Sequence, residues 1–242
     1  MTSSEARNSI RTTTGTRPVA DPIRRTPLWD GPTRLVHWAL AALILTAWLT
    51  AGKQMAVHRW AGYAVLGLMV FRLWWGVAGG STARFASFLV GPGKTFAYVR
   101  KLPGREPGES AGHNPLGAWS VVAMIALIIV QAGLGLFAVD VDGIESGPLS
   151  DRVSFDLGRL CAHWHELTFR ILQALVLLHL AAIAFYALWK RENLVGAMIV
   201  GGRRFRGAVT PLVEAPIWRL AVGIVLGGVA VWLIAKGFRL KL

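Results

Sequence analysis

Histidines are the side chains through which this chain can ligate a metal. Four of the six, His37, His58, His165 and His179, stand inside or at the mouths of apolar runs. His165 and His179 are 14 residues apart. At about 100° per residue that interval falls roughly 40° short of four full helical turns, so both imidazoles lie on one helix face. At about 1.5 Å per residue they are roughly 21 Å apart along the axis, too far for one metal ion. As ligands they serve two sites, one toward each edge of a hydrocarbon layer about 30 Å thick. Two imidazoles per site suit a low-spin haem that passes one electron, because no coordination position is left for oxygen.

Transmembrane helices are expected to carry these imidazoles. The chain has 242 residues, 54% of them hydrophobic and only 16% charged, with a mean hydropathy of +0.48. That is too apolar for an ordinary soluble domain. Five runs predict spans: Leu35 to Ala51, Trp60 to Gly79, Leu116 to Ala138, His163 to Leu188, and Pro216 to Ala235. Asn114-Pro115 predicts an N-cap with proline at the first helical position of the third. Residues 1–26 predict a disordered basic tail, 27–190 a four-helix haem-binding domain, 191–215 a connection, and 216–242 a fifth helix with a short tail. In the 80–115 loop, the stretches from Phe85 to Leu89 and from Phe96 to Val99 predict interfacial segments.

Lys and Arg set the orientation. The segments 15–34, 80–115 and 190–215 carry fourteen, whereas the two intervening connections carry four: Lys53, Arg59, Arg152 and Arg159. The N-terminus is therefore expected inside, although five spans then place Lys236, Arg239 and Lys241 outside, against the trend. In this orientation His37 and His179 fall at the inner depth and His58 and His165 at the outer, which makes an inner and an outer pair. Ionisable residues are nearly absent from the spans apart from terminal arginines, whereas a proton or ion transporter would carry Asp or Glu relays there.

Neighbouring residues fit a flat macrocycle less specifically. Gly62 follows His58 by four and so lies on its face one turn deeper, and Gly133 and Gly135 allow close backbone approach. Ordinary small-residue helix packing explains such glycines equally well. Arg72 repeats the 14-residue interval after His58, and Arg34 precedes His37 by three. Both are placed to pair with propionates of the inner haem, and both also suit anchoring at the inner surface. His113 reads as a turn residue. His163 points away from His165, and the spacing of His163, His165 and Glu166 is poor for a shared zinc ion.

The net charge of +13 reports basic inner loops rather than a nucleic-acid surface, since no basic helix or aromatic-basic interleaving accompanies it. Cys161 is the only cysteine, so neither an intrachain disulfide nor a thiolate cluster can form, and no Cys-x-x-Cys-His for covalent haem is present. Arg24-Arg25 is not followed by an apolar segment, and no cleavable signal peptide is expected.

The run Trp29-Asp-Gly-Pro-Thr-Arg-Leu-Val-His37-Trp38, with His58-x-x-x-Gly62, Arg72, Gly112-His-Asn-Pro and Trp164-His165-Glu166 followed by His179, resembles the prokaryotic cytochrome b561 family. That family includes the b-type cytochrome subunits of nickel–iron hydrogenases. The resemblance covers roughly residues 28–190, and the His165/His179 spacing is its most specific part. It implies an all-α integral protein of the bacterial cytoplasmic membrane, with a four-helix core holding two b haems on His37, His58, His165 and His179. It also implies a respiratory electron-transfer protein or oxidoreductase subunit exchanging electrons among the quinone pool, a periplasmic cytochrome c and a dehydrogenase or hydrogenase. The fifth helix departs from the minimal pattern. Some family members oxidise superoxide and reduce quinone, and Lys53, Arg59 and Arg159 at the outer mouth would attract that anion. A haem-free metal or solute transporter is the other rival. One-electron transfer needs no general base or nucleophile, and no convincing catalytic set is present.

Overall fold

A computed structural model of the chain describes residues 23–104, 112–142, 144–206 and 210–237. The expected tail over 1–22, Arg105, and the terminal Arg239 and Lys241 lie outside the described residues. Five helices are long and apolar enough to cross a membrane: α1 (Gly31–Thr50), α2 (Met55–Ala78), α5 (Pro115–Phe137), α6 (Phe155–Leu188) and α8 (Ile217–Ala235). Three short helices, α3 (Phe85–Phe88), α4 (Pro92–Lys101) and α7 (Leu194–Val200), flank them.

The helix starts follow from local chemistry. Asp30 caps α1, its carboxylate accepting from Thr33 N at 2.7 Å, and Pro32 sits where a missing N–H costs nothing. Asn114 caps α5 in the same way, accepting from Gly117 N at 2.7 Å ahead of Pro115. Ser154 caps α6. That helix therefore begins eight residues before His163, within the stretch read from sequence as loop. Its 34 residues span about 51 Å, well beyond a hydrocarbon layer.

α1 and α2 form one antiparallel hairpin, α5 and α6 a second, and α8 lies antiparallel along the outside of α2. Val65 and Met69 of α2, Ile128 of α5 and Leu172 of α6 pack into a buried layer halfway along the bundle. Large apolar side chains such as Leu35, Val77, Leu188 and Ile217 face outward. In a membrane they meet lipid, so their exposure costs nothing.

The departure from an all-helical chain is a two-stranded antiparallel sheet, β1 (Ile23–Pro27) with β2 (Gly202–Arg206), Ile23 opposite Arg206 and Pro27 opposite Gly202. β1 takes in residues read as tail, and β2 and α7 occupy the 191–215 connection. Strands this rich in arginine carry no local hydrophobic signal, and pairing partners nearly 180 residues away fixes them. Gly201, at φ +82°, turns α7 into β2, and its carbonyl accepts from Leu28 N at 2.8 Å and Trp29 N at 3.0 Å. A Cβ there would lie 3.1 Å from Trp29 O, so glycine is required on both counts.

Candidate functional site

The bundle brings the four span histidines together as two pairs. His58 of α2 faces His165 of α6 with ring centroids 6.1 Å apart. His37 of α1 faces His179 of α6 at 6.4 Å. A metal–imidazole bond is about 2 Å and a ring centre lies about 1 Å behind its nitrogen, so trans ligands of one ion have centroids about 6 Å apart. Both pairs stand at that separation, and the Val65–Met69–Ile128–Leu172 layer lies between them.

The tautomers at the first pair are fixed by the backbone. Nδ1 of His58 lies 2.8 Å from Ala47 O, and Nδ1 of His165 lies 2.8 Å from Gln131 O. A carbonyl only accepts, so each Nδ1 is the N–H and each Nε2 keeps its lone pair, as metal-bound histidines are held. Thr168 Oγ1 lies within hydrogen-bond distance of the Gln131 side chain and of Trp164 O, and its contact with Gln131 ties α5 and α6 at this level. Gly135 makes room for the imidazole: a Cβ there would lie 2.9 Å from His165 Cε1. A cavity of about 420 Å³ adjoins the pair, walled by Trp48, Gly62, Val65 and Phe169 among others. A Cβ on Gly62 would meet nothing within 4 Å, and the same holds for Gly133. Gly62 thus leaves space open beside His58 on the cavity wall.

Two further residues stand on the same wall, Glu166, which the sequence marks only within a motif, and Arg170, which it does not single out. Glu166 and Arg170 also line the cavity and form an i,i+4 ion pair at 2.5 Å. They correct the expectation that the spans hold almost no charge away from their ends. Their spacing was the available signal.

At the end where α1 starts and α2 finishes, buried polar atoms lack partners. They are Thr33 Oγ1, Arg34 Nε, His37 Nδ1, Arg72 Nη1 and His113 Nδ1, the full set of such atoms among the described residues. Arg72 is 7% exposed and stacks its guanidinium 4.8 Å from the Phe85 ring centroid. Arg34 donates through Nη1 to Ile199 O at 2.6 Å and so braces α7. His113 is more than a turn residue: its ring is wedged between Trp29 at 4.6 Å and Phe88 at 4.5 Å. Burial, and after it the charge of Arg72, pushes its pKa down to about 4, so the ring is neutral at pH 7. Such orphaned donors fit a group that brings its own acceptors, as the carboxylates of a haem do.

His163 packs against Trp164 and joins neither pair. Among the described residues no three His, Cys, Asp or Glu side chains converge on one point. At the opposite end, Arg59 pairs with Glu145 at 2.5 Å and Arg159 donates to Val139 O at 2.9 Å.

The model of the prokaryotic cytochrome b561 family matches residues 28–201. A probable Ni/Fe-hydrogenase B-type cytochrome subunit of Azotobacter chroococcum mcd 1 is 25% identical over 214 residues, covering 74% of this chain and 88% of that protein. One of Cupriavidus necator is 25% identical over 219 residues, covering 76% and 89%. No solved structure matches. α8 lies beyond the matched region.

Proposed function

The chain belongs to the prokaryotic cytochrome b561 family, and on that footing we propose that it is a transmembrane di-haem electron carrier with His37/His179 and His58/His165 as its two axial pairs. It is a multi-pass membrane protein, and family membership implies b-type haem. The observation that carries the two-haem reading is the pair of imidazole gaps, 6.4 and 6.1 Å, at two depths of one bundle. Bound there, each iron porphyrin would supply a one-electron couple with both axial positions filled.

The protein's part is ligation, burial and orientation. Ala47 O and Gln131 O engage Nδ1 of His58 and His165 and so leave Nε2 of each ring available to ligate. Gly62 leaves the macrocycle its space, and the mid-bundle layer keeps water from lying between the centres. Arg72 supplies a buried cation for a propionate of the haem on His37 and His179. Arg34 contributes less than the sequence suggested, since one arm already braces Ile199.

The excess of Lys and Arg supports an N-terminus on the cytoplasmic side of the bacterial inner membrane, with His37/His179 at the inner depth. Electrons would pass between the quinone pool and a redox partner at the outer face. The names of the relatives favour a hydrogenase as that partner, with a periplasmic cytochrome c or another dehydrogenase as alternatives. Superoxide:quinone chemistry has less support: Glu145 offsets the charge of Arg59, and Arg159 is engaged by backbone.

Protein made with ample haem and purified in detergent should show a b-type spectrum that a short-chain quinol reduces. A haem-free preparation would defeat this reading, and rapid superoxide-dependent reduction would favour the enzymatic one. Filling the cradle separates cofactor from fold. Gly62→Leu places its side chain in open space, so the chain should fold and keep the haem on His37 and His179 while losing the other. Retention of both haems, measured as haem per chain, would show that Gly62 does not border one.

A further inference from the structure

Arg72 is a buried guanidinium for which the protein offers no carboxylate among the described residues. The nearest candidate, Asp30, is 5% exposed and already committed: Oδ1 accepts from Thr33 N at 2.7 Å and Oδ2 from Trp75 Nε1 at 3.0 Å. Its charge acts on Arg72, yet no hydrogen bond joins them. Asp30 thus offsets only part of the cost of burying Arg72, and a ligand that supplied a carboxylate would offset the rest.

The surroundings are aromatic and hold more than one unused group. Phe85 lies over Arg72 and Phe88 over His113, and these two rings contact each other at 5.9 Å. Trp29 closes the other side of His113. Arg72 is near enough for its charge to act on His113. Thr33, 7% exposed, presents a third unpartnered atom one turn before His37. Three elements, the α1 start, the α2 end and the turn before α5, thus each bring at least one unsatisfied polar atom to the same end of the bundle.

We propose that Arg72, His113 and Thr33 form one carboxylate-binding site, and that its occupant is a propionate of the haem held by His37 and His179. His113 is the member that neither motif nor spacing assigned. It acts as a neutral N–H donor, Thr33 as a hydroxyl donor and Arg72 as the counter-ion, so that the anion's oxygens replace the missing partners. The proposal rests on the two-haem reading. It ties the turn before α5 to the cofactor, although α5 carries none of the four histidines.

The test is a redox titration of the haem-loaded full chain, with low-spin EPR and the haem on His58 and His165 as internal reference. His113→Leu and Arg72→Gln should each disfavour reduction of the haem on His37 and His179, by about tenfold in the redox equilibrium, and leave the other unmoved. His113→Gln, which keeps a donor, should recover much of the change. Combined with His113→Leu, Arg72→Gln should cost less than it does alone, because the two share a ligand. A wild-type titration that shifts with added acetate would place a free carboxylate in the site and overturn the propionate assignment. A haem on His37 and His179 that ignores His113→Leu while responding to Arg72→Gln would overturn the role of His113 alone. Wild-type protein lacking that haem would overturn the two-haem reading, and the propionate site with it.

Discussion

Replacing His179 by alanine should remove the haem of the His37/His179 pair and leave that of the His58/His165 pair in place. The two imidazoles on α6 are four turns apart, with the buried Val65, Met69, Ile128 and Leu172 layer between them. Loss of one therefore exposes no part of the other's cavity. Haem content should fall from two per chain to one, and the remaining centre should keep its spectrum. The Ala47 and Gln131 carbonyls that engage His58 Nδ1 and His165 Nδ1 are untouched by the substitution, so that pair should keep its geometry. A preparation that keeps both haems would show that the pairs are wrongly drawn. Loss of both would show that the two sites are not independent.

The second large effect is expected far from either pair. Where α2 crosses α8, backbone meets backbone: a Cβ on Gly227 would lie 2.8 Å from Gly67 O, and one on Gly67 would lie 2.5 Å from Val231 Cγ2 and 3.0 Å from Gly227 O. One turn along, Gly223 sits under Phe71 and Trp74. Trp74 Nε1 donates to Arg219 O at 2.8 Å, and Arg219 donates back to Ala78 O at 3.1 Å. Close packing of small residues and such bonds hold helices together where lipid removes the hydrophobic drive. Gly227→Leu must push α8 off α2, the helix that carries His58 and Arg72. A loss of about 3 kcal/mol or more is expected, seen as a large fall in the thermal stability of the haem spectrum in detergent. The control is its neighbour: a Cβ on Gly228 meets nothing within 4 Å, so Gly228→Leu should be nearly silent. Equal stability of the two variants would mean that α8 does not support the bundle.

Much of this was legible in the sequence because its signals are local and periodic. Apolar runs announce spans, and a 14-residue interval on a helix puts His165 and His179 on one face whatever surrounds them. Asn114-Pro115 announced a helix start for the same reason. The misses share a different cause. β1 exists through pairing with β2, and no stretch of Ile23–Pro27 reports a partner so distant in the chain. The carbonyls that orient His58 and His165 belong to Ala47 and Gln131, and a backbone oxygen has no residue type to recognise. His113 looked like a turn residue because its neighbours Gly112, Asn114 and Pro115 are turn formers; its burial depends on Trp29 and Phe88 from elsewhere. Glu166 and Arg170 were visible as an i,i+4 pair, but hydropathy averaging over α6 hides two charges among so many leucines.

Whether two irons are each held between a pair of imidazoles is decided by low-spin EPR of the oxidised, haem-saturated protein, with a carbon monoxide challenge of the reduced form. Two bis-imidazole signals of equal weight and no carbon monoxide adduct are predicted, since no axial position is open. A single signal, or a high-spin population that takes up carbon monoxide, would contradict it.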